Sequence, residues 1–66
     1  MKIIVNGEER EVAPETTLEQ LLRVLALDRG SVAIEVNGAL VPRARFAERA
    51  LQPGDRLEIV TFVGGG

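Results

Sequence analysis

The last three residues of the chain, Gly64 to Gly66, suggest a chemistry of their own. Gly66 carries an α-carboxylate, which is ionised at neutral pH because such groups titrate near pH 3.5. An ionised carboxylate can attack the α-phosphorus of ATP, and the acyl-adenylate that forms can accept sulfur or an amine. Because glycine has no Cβ, the run could pass through a narrow channel, and three extended residues span roughly 10 Å. The terminus is therefore typical of a carrier whose carboxylate reacts in the active site of another protein.

Two other interpretations of the glycine run compete with the carrier. Glycines at an end are also typical of a frayed terminus or a remnant of cloning. A phosphate-binding loop is disfavoured, because no helix, lysine, serine or threonine follows Gly64. The glycines alone leave both a carrier and an inert end open, so the rest of the chain has to decide.

The composition excludes several classes of function. The 66 residues include no cysteine and no histidine, which excludes thiolate or imidazole metal sites, a Ser-His-Asp triad and a cysteine nucleophile. Ten acidic and eight basic residues give a net charge of −2, and Phe46 and Phe62 are the only aromatic residues, so nucleic-acid binding is not expected. No apolar run approaches the roughly 20 residues of a membrane span. A chain without disulfides suits the cytoplasm, where we expect it.

The charged residues do not indicate an active site. The acids near the start of the chain are expected to be solvated, because a general acid–base pair would need a pocket and perturbed pKa values. Arg43, Arg45 and Arg49 form a loose basic cluster, for which a solvated surface is also expected. We therefore expect these charged residues to be structural or solvated rather than catalytic.

A hairpin and a helix are predicted for the first half of the chain. Asn6-Gly7 is a turn signal, because both residues tolerate positive φ, and the return strand is expected at residues 10–13. Thr17 and Gln20 fit a capping box, and Gly30 is expected to close the helix in the left-handed conformation. Four leucines at spacings of three and four residues form one face of this helix, namely Leu18, Leu21, Leu22 and Leu25.

The second half is predicted to contain three strands and a short helical turn. Apolar residues alternate along residues 32–36, and Asn37-Gly38 is again a turn signal, so residues 39–41 should pair back. A helical turn is expected around Phe46, and residues 53–55 should turn into the final strand. The order predicts an α+β fold: a mixed sheet of four to five strands, with one main helix on one face and a short helical turn before the last strand. The apolar first and last strands should lie side by side at its centre.

One group of apolar residues does not fit the core of this fold. If the helix covers the sheet face of Ile3 and Val5, then Ile4, Val60 and Phe62 point to the opposite face. On neighbouring strands they would form an apolar patch that leads to the tail. A contiguous exposed patch often marks a partner site, so these three residues are predicted to form a docking face.

Four segments carry a resemblance to a known family: IIVNGEERE in the hairpin, TTLEQLL in the helix, VAIEVNGALVPR in the middle and LQPGDRLEIVTFVGGG at the end. Over nearly its whole length the chain resembles the ThiS sulfur carriers of bacterial thiamine biosynthesis. The resemblance implies the ubiquitin-like β-grasp fold for residues 1–63. It also implies a flexible glycine tail at residues 64–66.

A function and partners follow from the same resemblance. A ThiF-like adenylating enzyme would activate Gly66 with ATP, and sulfur from a cysteine desulfurase would convert the acyl-adenylate into a thiocarboxylate. The thiocarboxylate would donate its sulfur to a ThiG-like thiazole synthase. Gly64 and Gly65 would give the tail access to these active sites. The chain would be a co-substrate rather than an enzyme, with no bound cofactor or metal of its own, and ATP would be bound by the partner enzyme.

Three alternatives remain at this point. The small subunit of molybdopterin synthase has the same fold and glycine tail, although such chains tend to be longer. A ubiquitin-like protein modifier would join Gly66 to lysines of target proteins, through the same activated intermediate but with an amine acceptor. A plain interaction module would have an inert tail.

Overall fold

The structure is a computed structural model that describes residues 1–62. In this part of the chain five strands and one α-helix follow one another: β1 (Lys2–Val5), β2 (Glu8–Glu11), α1 (Leu18–Val24), β3 (Val32–Val36), β4 (Ala39–Val41) and β5 (Arg56–Thr61). Short 3-10 turns cover Arg29–Ser31 and Arg43–Arg45. The predicted α+β fold, with one main helix and a short helical turn before the last strand, is confirmed. The domain boundary predicted between residues 63 and 64 lies outside the described residues.

The five strands form one mixed sheet in the order β2-β1-β5-β3-β4. The pair of β1 and β5 is parallel, and the other neighbours are antiparallel. The parallel pair is joined by backbone bonds in which Ile4 N donates to Asp55 O and Asn6 N donates to Leu57 O, both at 2.9 Å. The prediction that the first and last strands lie side by side is therefore confirmed, and β5 is the central strand.

Both Asn-Gly pairs form two-residue hairpin turns. Asn6 and Gly7 have φ angles of 50° and 83°, and Asn37 and Gly38 have 53° and 86°. Positive φ at both central positions defines a type I′ turn, which matches the twist of the flanking strands. Since a two-residue loop leaves no spacer, β2 begins directly after Gly7. The return strand predicted at residues 10–13 is therefore wrong in position, because it lies at Glu8–Glu11.

Helix α1 begins as predicted and ends earlier than predicted. Thr17 accepts a bond from Gln20 N, and the Gln20 side chain accepts one from Thr17 N, which completes the capping box. The helix ends after Val24 in a Schellman motif, in which Ala26 has a φ of 58° and Leu27 N donates to Leu22 O at 2.9 Å. Leu27 packs against the core, which holds the chain in this left-handed step. The closure predicted at Gly30 is therefore wrong, and Gly30 lies in the 3-10 turn that follows.

The hydrophobic core fills the space between α1 and one face of the sheet. Leu18, Leu21 and Leu22 of the helix are buried there. Phe46 is also buried, directly after the second 3-10 turn. Leu51, which precedes β5, lies in the same core, and the inward positions of the strands add Ile3, Val5, Val32, Ile34, Val36, Leu57 and Ile59. Within residues 1–62 no helix covers the opposite face of the sheet, and the predicted docking residues lie on that face.

Candidate docking face and tail attachment

The backbone remains hydrogen-bonded to the rest of the domain as far as Phe62. The backbone N–H of Phe62 donates to Ser31 O at 2.8 Å, one residue after β5 ends at Thr61. The predicted sulfur-carrying residue Gly66 and the predicted access residues Gly64 and Gly65 lie outside the described residues. The described part of the chain therefore ends one residue after the central strand.

The side chain of Asn6 holds β5 next to β1 beyond the last backbone bond of the pair. Its Nδ2 donates to Ile59 O at 3.1 Å, and its Oδ1 accepts from Ile59 N at 2.8 Å. The amide thus makes the two bonds that a further residue of β1 would have made. The sequence indicated only a turn at this position, because the long-range partner of an asparagine amide leaves no local pattern.

Asn37 fastens the other end of β5 in a similar way. Its Oδ1 accepts from Arg56 N and its Nδ2 donates to Asp55 Oδ1, both at 3.0 Å. Among residues 1–62, Asp55 is the one buried charged residue. Its second carboxylate oxygen accepts from Gln52 N at 2.8 Å and lies 3.8 Å from an Arg49 nitrogen. A buried carboxylate with these partners stabilises the turn into β5.

Three strands bring exposed apolar residues together on the outward face of the sheet. Val60 and Phe62 are 58% and 52% exposed, and Leu40 of β4 is 67% exposed. Ala33 lies directly opposite Val60 in the antiparallel pair of β3 and β5. A shallow groove of about 190 Å³ lined by Ala33, Leu40 and Pro42 extends the same surface. We call Ala33, Leu40, Val60 and Phe62 the apolar patch, and it includes the last residue that the structure describes, Phe62.

Ile4 does not belong to the apolar patch. It points to the same outward face, as predicted, but it pairs with Arg56 in the parallel register of β1 and β5. Four residues separate Arg56 from Val60, which is roughly 13 Å along a strand. Ile4 is also only partly exposed. The predicted contiguous patch of Ile4, Val60 and Phe62 is therefore wrong for Ile4, because the strand register separates it from the other two.

The predicted basic cluster is engaged within the protein. Arg43 donates from Nε to Arg29 O at 2.9 Å and from Nη2 to Val32 O at 3.4 Å, so it joins the second 3-10 turn to the start of β3. Arg45 pairs with Glu48 at 3.5 Å. With Arg49 near Asp55, each of the three arginines has a structural partner. Of the three arginines, Arg45 is the one whose side chain fits the predicted solvated surface best, because its partner Glu48 is itself exposed.

Residues 1–62 show neither a metal-binding cluster nor a membrane-spanning helix. It contains no group of three or more acidic residues placed to bind a metal ion. None of its helices has the length and apolar character to cross a membrane.

Comparisons with known proteins agree on one family. A family model described as the ThiS family matches residues 3–66. Sulfur carrier protein ThiS of Escherichia coli (strain K12) is 29% identical over the full length of both chains. The crystal structure of a thiamine biosynthesis protein, ThiS, from Geobacter metallireducens superposes with a TM-score of 0.84 at 32% identity, again covering 100% of both chains. This likeness confirms the predicted β-grasp fold.

A much longer relative is more similar in sequence. The thiazole synthase of Paramagnetospirillum magneticum is 47% identical over all 66 residues. The chain spans only a fifth of the length of that protein, since it covers 20% of it. That thiazole synthase therefore contains a segment similar to this chain.

Proposed function

Because this chain belongs to the ThiS family, we propose that it is a sulfur carrier protein of thiamine biosynthesis, with the sulfur carried at Gly66. One structural observation carries the proposal: the central strand β5 ends beside the apolar patch, and in the sequence the glycine run begins three residues after its last residue, Thr61. A partner that covers the patch would have the tail at its own surface. The carrier itself is a co-substrate, and its partners supply the catalysis.

The proposed chemistry has three steps at the carboxyl group of Gly66. The carboxylate attacks the α-phosphorus of ATP in a ThiF-like adenylating enzyme, and pyrophosphate leaves. A persulfide sulfur from a cysteine desulfurase then displaces AMP from the acyl-adenylate, and a second thiol cleaves the acyl disulfide that forms, which releases the thiocarboxylate and leaves a disulfide on the donor. The sulfur finally passes to the acceptor, and Gly66 returns to a carboxylate with an oxygen atom from the acceptor or from water. Gly64 and Gly65 give the tail access, because residues without a Cβ fit a narrow channel.

Thiazole synthase is the acceptor that we propose. Support comes from the thiazole synthase of Paramagnetospirillum magneticum, in which a segment 47% identical to this chain is part of the synthase polypeptide. Carrier and acceptor joined in one polypeptide meet at a high effective concentration, which is useful when one hands sulfur to the other. We place the reaction in the cytoplasm, in keeping with the cysteine-free sequence.

The apolar patch is the docking face that we propose for these partners. It includes two of the three docking residues predicted from the sequence, Val60 and Phe62, together with Ala33 and Leu40. Ile4 is left out, because it lies opposite Arg56 and away from Val60. Covering Leu40, Val60 and Phe62 would remove the large exposed apolar side chains of this sheet face from water.

The experiment is intact-protein mass spectrometry after incubation with ATP, a sulfur donor and a ThiF-like adenylating enzyme. We expect the mass to rise by the difference between sulfur and oxygen, and fragmentation to place the change at Gly66. An unmodified terminus would overturn the proposal, provided that the same enzyme preparation converts a known carrier. A chain lacking Gly65 and Gly66 is the control: it should keep its fold, because glycine has no side chain to bury, and it should gain no sulfur.

A further inference from the structure

Two glutamates face each other on the outward side of the sheet. Glu35 of β3 and Glu58 of β5 are direct partners in the antiparallel register, and both are exposed. Side chains at such positions have their Cβ atoms about 5 Å apart, and like charges placed there destabilise the sheet. The fold therefore contains a repulsive pair that its own stability does not require.

No cation forms a salt bridge with this pair in the described part of the chain. Glu9, Glu19 and Glu48 each form a salt bridge, at 3.8, 3.1 and 3.5 Å. Within residues 1–62, Glu35 and Glu58 form none at a distance of 4.0 Å or less. Arg56, which precedes Glu58 by two positions on the same face, does not pair with it either. In the free protein, water is what solvates the two carboxylates.

The glutamate pair adjoins the apolar patch on two sides. Glu35 lies opposite Leu40 in the pair of β3 and β4, and the next outward row along the sheet is Ala33 with Val60. Two residues along a strand span roughly 7 Å. A protein that covers the apolar patch would therefore also cover the glutamates and exclude their water. Removing water from two adjacent carboxylates is costly unless a cation is placed between them.

We propose that the adenylating enzyme that docks on the apolar patch inserts an arginine or lysine side chain between Glu35 and Glu58. This inference rests on the proposed function and adds the charge that the partner must carry. An arginine fits best, because its planar fork can donate to two carboxylates at once. The cation would turn a repulsive pair of the free chain into an attractive contact of the complex. The pair would also reject partners with an acidic or purely apolar surface.

The test compares Glu35→Gln and Glu58→Gln with Glu8→Gln in the full chain. Glu8 is a matched control, because the change removes the same charge from an exposed residue that points to the other face of the sheet, at the edge strand β2. We expect each variant of the pair to raise the Kd for the ThiF-like enzyme at least about tenfold and to weaken its salt dependence. The urea midpoint of the free chain should stay the same or rise in these two variants, because the repulsion is removed. Glu8→Gln should leave the Kd unchanged.

Two results would overturn this inference. In one, the glutamine variants bind as tightly as the parent chain, which would make the pair an ordinary solvated surface. In the other, they lose stability as well as binding, which would give the pair a structural role. Failure of the proposed function is recognised separately, because the parent chain would then gain no thiocarboxylate with the same enzyme. Conversion of the parent together with unchanged binding of both variants overturns the inference alone.

Discussion

Asn6 occupies the first position of a type I′ turn and also bonds to the neighbouring strand through its side chain. Its φ of 50° is a conformation that asparagine tolerates better than most residues, and its amide meets both backbone groups of Ile59. Glycine would suit the φ angle but would leave Ile59 without partners. Among the common residues, asparagine meets both requirements at once.

Replacement of Asn6 should separate these two contributions. We expect Asn6→Gly to lower the free energy of unfolding by about 1–3 kcal/mol, because the half-buried N–H and C=O of Ile59 lose their bonds. Asn6→Ala should lose roughly 1 kcal/mol more, because alanine is strained at positive φ. Urea unfolding followed by far-ultraviolet circular dichroism is the suitable measurement, since the chain has no tryptophan or tyrosine.

Glu15 provides the control for the change at Asn6. It also has a positive φ, 67°, and it is exposed. Glu15→Gly should leave the stability unchanged or raise it, because it relieves the left-handed strain without removing hydrogen bonds like those from Asn6 to Ile59. Equal effects of glycine at positions 6 and 15 would show that the amide of Asn6 contributes nothing beyond its backbone conformation.

At the scale of elements, α1 depends on its first turn more than a longer helix would. It has only seven residues, which is too short to be stable without packing and caps. Thr17→Ala should remove the capping box and lower the free energy of unfolding by about 1 kcal/mol. Thr17→Ser keeps a hydroxyl that can accept from Gln20 N, so it should retain most of the stability in the same urea experiment. A Thr17→Ala chain as stable as the parent would show that packing alone holds the start of the helix.

Periodic patterns predicted which elements form, and non-local contacts decided where they end and meet. The charged residues of β2 follow no apolar alternation, so its position depended on the two-residue turn. The helix ends after Val24, with Ala26 in the left-handed conformation, because Leu27 packs against the core, which outweighs the local preference for glycine at Gly30. Val60 and Phe62 point outward as the alternation predicted. Only the register of β1 and β5 shows that Ile4 lies apart from them, and no local pattern contains that register.

For the whole molecule, the two faces of the sheet differ in what they contact: one is covered by α1 and the other is exposed. The inward face packs on α1 and provides the core, and the outward face carries the apolar patch and the glutamate pair without covering either. Strand β5 takes part in both, since its successive side chains alternate between the faces, and the tail follows it. Adjacent residues of one strand can therefore be used to test stability and docking separately.

Ile59 and Val60 are the most direct pair for this test. Ile59 is 8% exposed in the core, so Ile59→Ala should lower the free energy of unfolding by roughly 2–4 kcal/mol. At temperatures where that variant is folded, its tail should still accept sulfur, because the docking face is intact.

Val60 is 58% exposed, so Val60→Ser should change the stability by less than about 0.5 kcal/mol. It should nevertheless raise the KM of the adenylating enzyme for the carrier and leave kcat nearly unchanged, because the interaction lost is one of binding alone. An unchanged KM for Val60→Ser would mean that the partner docks elsewhere, whereas a large loss of stability would mean that the outward face contributes to the fold.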